Sequence, residues 1–67
     1  MVDVNNGRFA IEFEPDLTVR KLLSICLYTA PQIAVFVNGV LVGSHEYDSR
    51  RLSDGDTVRV LHMVAGG

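Results

Sequence analysis

Apolar and polar residues alternate at Val2-Asp3-Val4, the spacing of a strand with one face on a core. Asn6-Gly7 follows, the strongest two-residue signal for a type I′ hairpin, because both positions must take positive φ. Phe9-Ala10-Ile11-Glu12-Phe13 alternates again and places Phe9, Ile11 and Phe13 on one face. The first two strands are therefore expected to form an antiparallel hairpin. Pro15-Asp16 breaks the strand, and the period then changes. Val19, Leu22, Leu23 and Cys26 fall at i, i+3, i+4 and i+7, the stripe of an amphipathic helix. Thr18 suits the N-cap, where its hydroxyl can accept an otherwise orphaned backbone N–H. Leu17 and Leu22 are placed to form a hydrophobic staple across that cap. Arg20, Lys21 and Ser24 lie away from the stripe, and Ile25 sits off it, toward solvent. The helix is expected to end near Tyr28 or Thr29, since the residue before Pro31 avoids helical angles.

Ile33–Val37 is an apolar run of strand length. Asn38-Gly39 is a second hairpin signal and leads into Val40-Leu41-Val42. Residues 43–53 are polar and irregular, a loop with room for one helical turn, anchored by Tyr47 and Leu52. Asp54-Gly55-Asp56 reads as a turn and residues 57–64 as the last strand. The order β-β-α-β-β-loop-β predicts a two-layer α+β domain, with one helix on one face of the sheet. If Val58 and Val60 face the helix, Leu61 and Met63 point to the open face, because successive side chains alternate. Val35 and Val37 are then core, and Phe36 faces outward. An outward Phe36, Leu61 and Met63 make an apolar patch, for which a protein partner is the usual reason.

With 67 residues and 48% hydrophobic content, the chain is expected to form one domain over residues 1–67, with residues 65–67 as a flexible tail. A domain this small buries only about 60% of the surface its unfolded chain exposes. Cys26 is the only cysteine, so no internal disulfide can form, and no Cys/His set has zinc spacing. The net charge of -2 without a basic block argues against nucleic acid, whose phosphates require clustered Lys and Arg. No apolar run approaches the roughly 20 residues of a membrane span. Met1-Val2-Asp3-Val4-Asn5 lacks the basic and apolar regions of a signal peptide. A cytoplasmic location is the resulting expectation.

His62-Met63-Val64-Ala65-Gly66-Gly67 closes the sequence. Two terminal glycines have no side chains and tolerate almost any backbone angles, so they can enter a channel too narrow for other residues. The reactive group there is the Gly67 carboxylate. An ordinary frayed terminus would look the same taken alone. The elements upstream add weight: Val37-Asn38-Gly39 after an apolar strand, then Leu52-Ser53-Asp54-Gly55-Asp56-Thr57-Val58, then Gly66-Gly67. In this order the chain resembles the β-grasp, ubiquitin-like sulfur carriers of the ThiS/MoaD group, closest to ThiS. Ala65 departs from the run of three glycines common in ThiS proteins.

The resemblance implies a β-grasp fold, a mixed sheet of about five strands with one helix. It implies that the chain is a co-substrate with no catalytic or metal-binding residues of its own. An E1-like adenylating enzyme of the ThiF/MoeB type would use ATP to adenylate Gly67, and sulfur would then replace AMP to leave a thiocarboxylate. A thiazole synthase of the ThiG type would accept that sulfur for thiamine synthesis. The alternatives are a molybdopterin synthase large subunit as acceptor, or a ubiquitin-like modifier joined to lysines. Gly66 and Ala65 would thread the tail into the partner, while Phe36, Leu61 and Met63 would bind it. No bound cofactor is expected, and neither Gly-x-x-x-x-Gly-Lys nor Gly-x-Gly-x-x-Gly occurs.

Other groups have plainer readings. Cys26 could bear sulfur, but a cysteine on an apolar helical stripe is usually a small buried hydrophobe. Ser44, His45 and Asp48 suggest a triad, yet close neighbours in a polar loop rarely hold triad geometry. His62 shares the parity of Val58 and Val60 and is expected to pack at the sheet's edge. Arg50-Arg51 reads as a solvated pair able to steer an acidic partner.

Overall fold

The computed structural model describes residues 1–28 and 32–62. Strands β1 (Val2–Val4) and β2 (Phe9–Ile11) precede helix α1 (Val19–Ile25); β3 (Ile33–Val37), β4 (Val40–Val42), a 3-10 turn (Ser44–Glu46) and β5 (Thr57–His62) follow. The sheet runs β2-β1-β5-β3-β4. β5 lies parallel to β1 and antiparallel to β3, and both hairpins are antiparallel. This mixed five-stranded sheet with a single helix on one face is the β-grasp arrangement expected from the sequence.

The core lies between helix and sheet. Val2, Val4, Leu17, Val19, Leu22, Val35, Val37 and Val58 are fully buried, and Leu23, Cys26, Ile33, Val42, Tyr47, Leu52 and Val60 complete the cluster. Phe9, Ile11 and Phe13 pack against its rim, as their alternation requires, although β2 itself ends at Ile11. Ile25 is half exposed, as its place off the stripe requires.

The irregular loop after β4 serves the helix. An α-helix leaves its first N–H groups without intrahelical partners. Here the Val19 N–H donates to the Arg50 carbonyl and the Arg20 N–H to the Tyr47 carbonyl, both at 3.0 Å. The Lys21 N–H donates to Thr18 Oγ1 at 3.2 Å, so Thr18 is the N-cap. Tyr47 and Leu52 hold this loop against the core as buried anchors.

The two hairpins differ. Asn38-Gly39 joins Val37 to its partner Val40 as a two-residue turn, with φ of 52° and 82°, the type I′ geometry expected. In the first hairpin Val4 pairs with Phe9, so Asn5 to Arg8 form a four-residue loop instead of a turn closed on Asn6-Gly7 alone. Asn5, Asn6 and Gly7 all take positive φ, at 54°, 55° and 86°.

The helix is shorter than expected, ending at Ile25 with Cys26 as its C-cap. Leu27 turns left-handed at φ 62°. Its N–H then reaches the Ser24 carbonyl at 3.2 Å, and the Tyr28 N–H reaches the Leu23 carbonyl at 2.9 Å. These are the paired bonds of a Schellman motif, which usually carries glycine at this position. A left-handed conformation costs an L-residue roughly 1–2 kcal/mol, and Leu27 is 85% exposed, so it recovers little by burial. Leu27→Gly is expected to stabilise the domain by about 0.5–1 kcal/mol, once the added freedom of the unfolded chain is subtracted. Urea unfolding should show a higher midpoint at unchanged slope; a lower midpoint would mean that Leu27 packs against something the chain needs.

Candidate functional site

Parity along β3, β4 and β5 builds one continuous surface on the side of the sheet away from the helix. Cross-strand register sets Phe36 opposite both Arg59 and Leu41, and Ala34 opposite Leu61. Phe36 is half-buried, Leu41 is 61% exposed and Leu61 45%. A shallow hollow of about 230 Å³ opens among Phe36, Gly39, Arg59 and Leu61. The structure thus brings Phe36 and Leu61 together as expected. Leu41 belongs to the same patch, and reading the Asn38-Gly39 turn through to cross-strand register would have found it. Arg59 adds a positive charge inside an otherwise apolar surface.

The C-terminal end of β5 is the second place of interest, because His62 is the described residue nearest in sequence to Gly67. On one side, β3 pairs with β5 as far as His62. On the other, the parallel ladder with β1 stops: the Asn5 N–H donates to the Val58 carbonyl at 2.9 Å, but the left-handed Asn5 turns its own carbonyl toward the Arg8 N–H. The Asn5 side chain takes over. Its Oδ1 accepts from the Val60 N–H at 2.8 Å, and its Nδ2 donates to the Tyr28 hydroxyl at 2.7 Å. The Tyr28 ring meets Phe9 edge-on at 6.2 Å and tilts against His62 at 5.6 Å. His62 is exposed and lies against Tyr28 at the end of the central strand, not at an edge of the sheet as expected. An open hollow of about 750 Å³ adjoins this cluster, walled by Asn5, Arg8, Phe9, Cys26, Tyr28 and His62.

Cys26 forms part of that wall yet is only 8% exposed, as its place on the helical stripe requires. Burial pushes its thiol pKa up, so the nucleophilic thiolate is disfavoured. Ser44, His45 and Asp48 do not assemble into a triad. Asp48 binds Arg20 Nε at 2.9 Å, and His45 Nε2 approaches Glu46 at 3.8 Å. Arg20 in turn lies 5.5 Å from the centre of the Tyr47 ring, so Arg20, through Asp48 and Tyr47, fastens the loop to the helix. Arg50 is exposed and donates to the Arg51 carbonyl. Among the described residues, no three His, Cys, Asp or Glu side chains gather as metal ligands would. Met63, Ala65, Gly66 and Gly67 lie outside the described residues.

Residues 2–67 match the family model of the ThiS family. No curated protein matches the chain. Among solved structures, the chain is similar to the crystal structure of the thiamine biosynthesis protein ThiS from Geobacter metallireducens. The two are 28% identical, with 98% of this chain and 97% of that chain covered at a TM-score of 0.80. It is likewise similar to an NMR solution structure of a thiamine biosynthesis protein from Geobacter metallireducens. There the identity is 29%, covering 98% of this chain and 86% of that chain at a TM-score of 0.72.

Proposed function

Because this chain belongs to the ThiS family and is a ThiS-type sulfur carrier, we propose that its Gly67 carboxylate is adenylated by an E1-like enzyme and converted to a thiocarboxylate. A carboxylate is a poor electrophile at neutral pH, since its leaving group would be oxide. Joining it to AMP, with release of pyrophosphate from ATP, supplies a good leaving group. A persulfide sulfur then displaces AMP, and thiol cleavage of the resulting S–S bond leaves the thiocarboxylate. The activating enzyme supplies the base and the oxyanion stabilisation. The thiocarboxylate sulfur then passes to a thiazole synthase for thiamine synthesis. The observation that carries this reading is the family match, which runs through the Gly66-Gly67 end and not only through the folded part.

Intact-mass analysis tests it, after incubation with ATP, a sulfide source and cell extract. A gain equal to one oxygen-to-sulfur exchange on Gly67 is expected. Conjugate ladders would indicate a protein modifier instead, and an unchanged mass would count against both.

In this reading Ala65 and Gly66 thread the partner's channel, while Phe36, Leu41, Leu61 and, by sequence parity alone, Met63 dock against the activating enzyme. Leu61→Asp is expected to weaken that binding by about 2 kcal/mol or more if Leu61 is an interface anchor. Its effect on folding should stay within about 1 kcal/mol, because the side chain lies on the open face of the sheet. A binding titration beside a thermal melt separates the two effects. Unfolding of the variant would show that the open face is needed for stability.

A further inference from the structure

We propose that Asn5 and Tyr28 are positioning residues, whose side chains clamp the end of β5 and set the direction in which the chain leaves the domain toward Gly67. The proposal rests on the reading of Gly67 as the reacting group, and it names what in the carrier aims that group.

β5 needs such a clamp. Up to Val58 it is paired on both sides, by β1 and by β3. From Val60 to His62 only β3 continues, and a strand held on one side is free to twist or fray. Asn5 supplies the missing side. Its Oδ1 occupies the place in the parallel ladder where a β1 carbonyl would receive the Val60 N–H. The bond from its Nδ2 to the Tyr28 hydroxyl ties that substitute strand to the residue just past the helix. Tyr28 is itself fixed by its N–H bond to Leu23, and its ring bears on His62. Two left-handed residues make the arrangement possible: Asn5 frees its side chain to face β5, and Leu27 swings Tyr28 back over the helix end. Asparagine is among the few residues that take this conformation readily. It also carries both the acceptor and the donor that the site uses.

Losing the clamp should broaden the range of directions in which the tail departs without altering the docking face. Fewer docked carriers would then hold the carboxylate at the reacting position. That predicts a lower kcat for adenylation at an unchanged KM for the carrier, since small misplacements are costly for positioned reactants.

Three variants of the full chain test this. Asn5→Gly removes both hydrogen bonds while easing the left-handed backbone, so the domain should stay folded. Asn5→Asp keeps an acceptor for Val60 and a second for Tyr28, whose hydroxyl turns to donate. Tyr28→Phe removes one bond and keeps the ring. In Asn5→Gly, the backbone NMR order parameter of His62 should fall from about 0.85 toward 0.6, with those of Val35, Val37 and the docking-face Leu61 unchanged. Pyrophosphate release by the activating enzyme should show kcat down about tenfold and KM within about twofold. Tyr28→Phe should lie between, and Asn5→Asp should restore both readouts. Unchanged order parameters in Asn5→Gly, a raised KM at constant kcat, or an Asn5→Asp variant as impaired as Asn5→Gly would overturn the proposal. If the wild type itself releases no pyrophosphate, the adenylation reading fails. The order parameters, which need no partner, still decide whether the clamp exists.

Discussion

Leu22→Ala should leave the domain largely unfolded at room temperature. Leu22 is fully buried at the centre of the helical stripe, beside Leu17, Val19 and Leu23. Truncating such a leucine typically costs about 2–5 kcal/mol, from lost transfer energy and the cavity left behind. A chain of 67 residues with one free cysteine has no internal disulfide to add to a core of this size. Such cores rarely supply more than about 3–5 kcal/mol. The cost and the total are therefore comparable, whereas the same change in a larger domain would be tolerated. Ile25→Ala on the same helix is the control, since Ile25 is half exposed and should cost within about 0.5 kcal/mol. Urea unfolding followed by circular dichroism reads both. A Leu22→Ala variant that kept more than half of the wild-type midpoint would mean that the core carries far more stability than its size suggests.

The same buried positions show why most of the fold was legible in the sequence. Period-two alternation assigned Val58 and Val60 to the core and Leu61 to the open face, and the structure agrees because a strand has only two faces to offer. The helical stripe and the Thr18 cap were equally plain. What could not be read were places where side-chain chemistry replaced a backbone rule. Asn6-Gly7 signalled a turn, but Asn5 joined it in the left-handed region because its side chain finds partners on β5 and at Tyr28. Those partners lie far away in sequence. The helix stop was missed for a related reason: Leu27 occupies a position where glycine is the usual signal, and leucine gives none. His62 kept its core-side parity yet is exposed. Parity names a face, and only the neighbouring elements decide whether that face is covered there. Leu41 escaped because turn type and register must be combined to place it opposite Phe36.

Deleting Gly67 should reduce adenylation by at least about a hundredfold while leaving the melt unchanged. The truncated chain still ends on a glycine carboxylate, so its chemistry is intact and only its reach is altered. One residue of extended chain spans about 3.3–3.6 Å, so the carboxylate of Gly66 would fall short of the reacting position by that much. A misplacement of only about 1 Å can already cost a hundredfold. Stability should not follow, because among the described residues the buried core runs from Val2 to Val60. Gly67 has no side chain to add to that core, and the change should stay within about 0.5 kcal/mol. Gly66→Val supplies the complementary arm. It keeps the length and adds a branched side chain where the threading reading requires a narrow profile, so it should also block adenylation while still competing with the wild type for the enzyme. The measurements are pyrophosphate release with the purified activating enzyme, a competition titration and a thermal melt. Normal release by the shortened chain would mean that the enzyme does not measure the tail's length. Normal release by Gly66→Val would mean that its channel is wide. Either result would remove the Gly-Gly end from the centre of the mechanism and leave the docking face and the Asn5–Tyr28 clamp to be explained by another group on the carrier.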